Sequence, residues 1–216
     1  MWPGTIGEFS IATGQTLLMV GVSTALAMLL GIPLGVWLYA TASGRFSAAP
    51  HMRRVLDGVV NVVRSIPFII LMVLMIPVTQ CLVGSSIGTW AAIVPLSVSA
   101  IPFLGRIVES ALSEVAEGLI EAGHAMGATP LQIVVHVLWP EALPAIVRGI
   151  TLTAVALVGY SAMAGVVGGG GLGDLAIRYG YQRFEIDVMV ATVVLLVVLV
   201  QLLQWIGDCI AKRLAH

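Results

Sequence analysis

The stretch QTLLMVGVSTALAMLLGIPLGVWLYA, Gln15 to Ala40, contains no Asp, Glu, Lys or Arg. A hydrocarbon core about 30 Å thick needs roughly 20 consecutive apolar residues of helix, so this stretch reads as a membrane span. Four further stretches have the same character, and the five spans fall at about 15–40, 59–83, 87–106, 145–168 and 188–208. Hydrophobic residues make up 59% of the 216 and charged ones only 10%, too little polar surface to face water on all sides. The expected class is an all-α integral membrane protein, with residues 1–216 forming one transmembrane domain.

Other classes drop out on composition. A formal net charge of -1 points to no nucleic-acid partner. The N-terminal MWPGTIGEFSIATGQT has no basic region and no small-residue cleavage site, so the first apolar segment is expected to remain in the mature chain. Cys81 and Cys209 sit near the ends of different spans, on opposite sides of the membrane in this topology, and read as small apolar fillers. No Cys/His cluster has metal-ligand spacing, so no metal site is expected.

Orientation follows from Lys and Arg on the cytoplasmic loops. Arg45, Arg53 and Arg54 lie between the first two spans, and Lys212 and Arg213 lie in the C-terminal tail. Both segments are expected inside, which leaves the N-terminus outside; Arg178 and Arg183 in an outer link run against this pattern. Arg64, within the second span, either snorkels to the headgroups or serves a subunit interface or gate. Pro67 and Pro77 are expected to bend that span.

The longest inside segment is ESALSEVAEGLIEAGHAMGATPLQIVVHVLWPEALP, Glu109 to Pro144. Val115, Leu119, Ala122 and Met126 recur at helical spacing beside an acidic stripe of Glu114, Glu117 and Glu121. Gly127 is placed to end this helix. Thr129-Pro130-Leu131-Gln132 reads as a capping box opening a second helix, which is expected to stop near Trp139-Pro140. Two helices meeting at a tight corner, with an acidic stripe and no neutralising base, read as a protrusion; an ordinary solvated face is the alternative for the charges, though it does not account for the tight punctuation of the corner.

Glu121-Ala122-Gly123, three residues, Gly127, nine residues, then Val137-Leu138-Trp139-Pro140 resembles the EAA signature of ABC importer permeases. Glu121, Ala122, Gly127 and Pro140 match the pattern; Gly123 stands where the family has Ala, Val137 where it has Ile and Trp139 where it has Leu. The phrases RSIPFIIL, EAGHAMGA and GGGGLGDLAIRYGYQRF are similar to permeases of the methionine-uptake type. The resemblance implies the type I importer permease fold in a bacterial inner membrane. It also implies a coupling segment, about 109–144, that docks on a separate ATP-hydrolysing subunit through Glu121, Ala122, Gly123, Gly127 and Pro140. An external solute-binding protein delivers substrate in that family, here methionine of either hand or a related amino acid; another small solute is the alternative.

Five spans are too few to enclose a path and gate it, so a homodimer is expected. The chain has no G-x-x-x-x-G-K-[ST]; ATP and Mg are expected on two copies of the partner subunit, with no cofactor or catalytic residue here. The fourth span supplies Tyr160, Ser161 and Met163 as pathway or gate candidates, with ordinary helix packing as the alternative reading. VVGGGGLGDL, Val166 to Leu175, contains a literal G-x-G-x-x-G, yet no strand precedes it. It reads as an unwound helix end, with Gly170 a hinge or gate position and Asp174 capping a short outer element. A secondary transporter would need acidic residues within a span, and the sequence places none there away from the ends.

Overall fold

A computed structural model describes residues 6–42 and 50–214, and every regular element among them is helical. Arg45 and the first five residues lie outside the described residues. The helices are α1 (Ile6–Ala40), α2 (Pro50–Ser65), α3 (Phe68–Leu74), α4 (Ile76–Val83), α5 (Thr89–Ser113), α6 (Glu117–Ala125), α7 (Pro130–Ile133), α8 (Trp139–Val166), α9 (Gly171–Leu175) and α10 (Ile186–Leu214). π-helical turns at Val134–Leu138 and Ala176–Tyr181 join α7 to α8 and extend α9. Four described helices are long and apolar enough to cross a membrane, or five if one bent pair counts as a span.

The second stretch, read as one bent span over 59–83, is three helices. His51–Ser65 and Phe68–Leu74 meet at 103°. Pro67 has no N–H to continue the ladder and pushes Ile66 out of the helical region, so the chain turns there. Pro77 lies in the first turn of α4, immediately past a second break at Met75. α2 segregates its side chains: Val55, Val59 and Val62 are exposed, while Asp57 bonds inward.

α5 is the central helix, packed most extensively against α1 and also against α8. Leu96, Leu104, Val108 and Leu112 of α5 are fully buried with Met19 of α1 and Ile146 and Leu157 of α8. Its helix runs to Ser113, past the charges at Arg106 and Glu109 that ended the span in the sequence reading. Those charges are paired with α2 (below) and so do not interrupt it. α10 packs on α8 and leaves Val190, Val193, Val194, Val197, Val198 and Leu202 exposed, as a face for lipid or another chain.

The α1 to α5 contact depends on absent side chains. A Cβ at Gly35 would sit 2.5 Å from the Gly105 carbonyl oxygen and 2.6 Å from Val108 Cβ. Neither atom is a flexible side-chain end, so the helices must separate to admit one. Gly21 lies on the same helix with nothing within 4 Å of its Cβ position. Gly35→Val should therefore destabilise by about 1–3 kcal/mol through overpacking, whereas Gly21→Ala should be neutral or slightly stabilising. Thermal unfolding of the detergent-solubilised protein checks this, and equal midpoints for the two variants would contradict the packing.

Candidate functional site

The corner after α5 is built by two capping devices in series. α6 ends in a Schellman arrangement: Gly127 N–H donates to the His124 carbonyl at 2.9 Å and Ala128 N–H to the Gly123 carbonyl at 3.1 Å. This geometry needs a left-handed residue, and Gly127 has φ 78°. Thr129 then caps α7, accepting from Gln132 N–H at 3.4 Å while its own N–H donates to Gln132 Oε1 at 2.8 Å. Both devices were legible in the sequence.

Ile120 and Gly123 face inward, and a Cβ at Gly123 would stand 3.3 Å from Ile133 Cγ1, so the missing methyl gives Ile133 room. Glu114, Glu117, Glu121 and Ala122 are exposed, and so are Leu119, Met126, Leu131 and Val135. The projecting surface is thus an apolar rim beside carboxylates. Val115 does not share that rim: α5 ends at Ser113, α6 starts at Glu117, and Val115 is buried between them.

The second arm of the corner corrects the sequence reading. It does not stop at Trp139-Pro140 but continues, with 130–166 forming one span-length helix. Trp139 N–H bonds to the Val134 carbonyl, an i to i−5 step, directly before Pro140. Proline cannot donate and its ring crowds the carbonyl four residues back; the widened π turn takes up that register change. Pro140 is itself exposed in the first turn of α8.

Above the corner, four charges close a ring between α2 and α5. Arg53 donates to Asp57 at 2.7 Å and to Glu109 at 2.5 Å; Arg106 donates to Glu109 at 2.7 Å and to Asp57 at 2.9 Å. Arg53 also donates to the Leu38 carbonyl near the end of α1, and Arg106 to Asn61 Oδ1 at 3.2 Å. Each guanidinium forks across two carboxylates, the arrangement in which a partly buried ion group retains its partners. The sequence reading used Arg53 for topology, ended a span at residue 106 and missed the ring. The i,i+4 spacing of Arg53 and Asp57 and the i,i+3 spacing of Arg106 and Glu109 were the available signals.

At the opposite end of the bundle, α8 stops at Val166 and the glycines turn the chain back on itself. Gly170 has φ 77° and a Cβ there would meet Gln15 Oε1 at 2.8 Å. Gln15 Oε1 accepts from Gly171 N–H at 2.7 Å and Thr16 Oγ1 from Leu172 N–H at 2.9 Å, while Gly88 N–H donates to the Gly168 carbonyl at 2.9 Å. α9 then returns against α8, with Gly173 against the Ala162 backbone. Asp174 pairs with Arg178 at 2.8 Å. The glycine turn is therefore clamped inside the protomer by α1 and α5. No local pattern announces Gln15 and Thr16, which lie 156 residues from their partners.

The remaining sequence candidates do not share one environment. Tyr160 stacks on Phe68 with ring centroids 4.8 Å apart. Ser161 is 1% exposed and its hydroxyl bonds to the Val158 carbonyl at 2.8 Å, so it offers no polar group outward. Met163 is half exposed on the surface of α8.

With this geometry in view, comparison with known proteins is specific. The family described as binding-protein-dependent transport system inner membrane component matches residues 27–216. A probable D-methionine transport system permease protein of Vibrio cholerae is 57% identical over 205 residues, 95% of this chain and 91% of that one. A protein of the same description from Haemophilus influenzae is 45% identical over 216 residues, all of both chains. A chain of the MetNI methionine ABC transporter, solved in inward-facing conformations, superposes with a TM-score of 0.97 at 49% identity over the full length of both.

The ring makes a direct prediction. Asp57→Arg and Arg106→Asp should each destabilise by about 1–2 kcal/mol, discounted from a fully buried pair for partial exposure. The double variant re-creates an opposite-charge pair and should recover at least half of the summed loss. A double-mutant cycle read by thermal unfolding checks it; strict additivity would sink the ring as an energetic unit.

Proposed function

The chain belongs to the binding-protein-dependent transport system inner membrane components, and from that membership we propose that it forms the methionine pathway of an ATP-driven importer. It is the transmembrane permease subunit, and its helices lie in the inner membrane. The observation that carries the coupling role is the corner: a rigid, doubly capped projection with an apolar rim beside Glu121, at the family's signature spacing. Glu121, Ala122, Gly123, Gly127 and Pro140 are assigned to docking on the ATP-binding subunit. Exposed apolar side chains next to charged ones suit such an interface.

The rest of the assembly follows as part of the proposal. Two copies of this chain face each other, each carrying one ATP-binding subunit on its corner. A solute-binding protein docks at the glycine end, which is outside; the C-terminus is cytoplasmic. ATP and Mg belong to the partner, because this sequence has no phosphate loop, and the chain performs no catalysis of its own. Closure of the ATPase pair moves the corners together and shifts the permease between inward-open and outward-open states. Tyr160, Met163 and Gly170 remain the pathway or gate assignments, with Ser161 acting through its neighbours because its hydroxyl is occupied.

The test uses the transporter reconstituted in proteoliposomes with its ATPase and binding protein. Wild type should accumulate labelled methionine on ATP addition. Glu121→Arg and Gly127→Val should each lower uptake about tenfold or more, equivalent to roughly 1.4 kcal/mol of lost interaction, while the chain still inserts and elutes as a dimer. Unchanged uptake in both variants would falsify the docking role, and uptake of other solutes in place of methionine would redirect the substrate assignment.

A further inference from the structure

A pocket of about 170 Å³ opens where α2 breaks into α3 and faces α5 and α8. Its wall is Val63, Arg64, Ile66, Phe68, Ser99, Phe103 and Tyr160. Drug-sized ligand sites are typically ~300–1,000 Å³, so this volume suits one small solute. Arg64 is the last-turn base of α2, delivered to the wall by the bend at Pro67. Among the described residues no carboxylate pairs with it, in contrast to Arg53, Arg106 and Arg178. Snorkelling to the headgroups explains a lone arginine, but not an arginine on the wall of a cavity with two hydroxyl-bearing residues and three aromatic rings.

The chemistry of the wall is divided. A guanidinium fork with Ser99 and Tyr160 beside it is a donor set for a carboxylate. Phe68, stacked on Tyr160 at 4.8 Å, and Phe103 supply ring edges and faces. Aromatic edges favour a thioether about 5 Å away, and aromatic faces accept an ammonium in the absence of an acid. No Asp or Glu lines the pocket, so it is selective for the anionic end of its ligand.

We propose that this pocket is a substrate site within the permease, in which Arg64 binds the carboxylate of a free amino acid and Phe68, Phe103 and Tyr160 hold a flexible apolar or thioether side chain. The site rests on the importer reading and deepens it: the permease itself inspects the solute and does not merely pass it through. Its location between the α2 to α3 bend and α8 ties occupancy to two elements that must move if the path alternates.

The test reads binding apart from transport. In the assembled transporter with Cys81 and Cys209 replaced by serine, a Val63→Cys reporter on the pocket wall is labelled with a maleimide while L-methionine is titrated. Methionine should slow labelling, and methioninol, which lacks the carboxylate, should need at least about tenfold higher concentration. Adding Arg64→Gln should abolish that discrimination, and Arg64→Lys should keep part of it, since lysine retains charge without the fork. Absence of protection, equal protection by both compounds, or unchanged protection in Arg64→Gln each overturns the site. Uptake by the wild-type transporter separates the two claims: methionine uptake without methionine protection removes the pocket and leaves the importer reading standing, while no methionine uptake removes that reading.

Discussion

The architecture depends on one constraint: within hydrocarbon every backbone N–H and C=O must find its partner inside the protein. Helices meet it automatically, and the informative places are where the helices break. At Pro67 the chain restarts at once, with Ile70 and Leu71 N–H both donating to the Pro67 carbonyl. Between α7 and α8 the ladder shifts to i−5 spacing for one turn and never opens. At the glycines the loss is larger, and side chains from α1 replace the missing helical acceptors. Each irregularity is thus supported by its own local device.

The same constraint explains how α5 can carry charge. A lone arginine or glutamate near the membrane would end the helix or draw water, but Arg106 and Glu109 meet Asp57 and Arg53 in a closed ring. Continuity of α5 to Ser113 follows, and the helix delivers the corner at a fixed distance from the bundle core. The Arg53 bond to the Leu38 carbonyl adds the end of α1 to the same brace. Three helices therefore share one electrostatic tie close to the corner that follows α5.

What was legible in the sequence was whatever a single helix or turn specifies. The Thr129-Pro130-Leu131-Gln132 box and the Gly127 stop depend on neighbours within a few residues, and the structure forms both. The apolar stretches specify the spans for the same reason, because lipid reads each helix separately. Helix ends were less legible where another element decides them. Arg106 looked like a membrane exit until its partners on α2 were known, and Trp139-Pro140 looked like a stop because a proline is normally one. The pocket around Arg64 was legible only as an arginine in the wrong place, since its wall comes from four helices separated by up to about a hundred residues of chain.

Both arms of the corner are long and continuous, and this decides how a displacement there can travel. α5 rises from Ser113 to Thr89, and the helix from Pro130 rises through the π turn to Val166, so neither arm contains a flexible loop. A push on the corner is transmitted along rigid elements whose far ends are tied to each other through the glycine turn, at Gly88 and Gly168. The bend between α2 and α3 packs on these arms and contributes Phe68 to the Tyr160 stack. A ligand in the neighbouring pocket gains leverage only if that stack and Arg64 present different contacts in the two states of the path. If the corner docks and moves as proposed, its displacement would travel along these helices, and the Pro67 bend is where the neighbouring chain breaks from a straight helix.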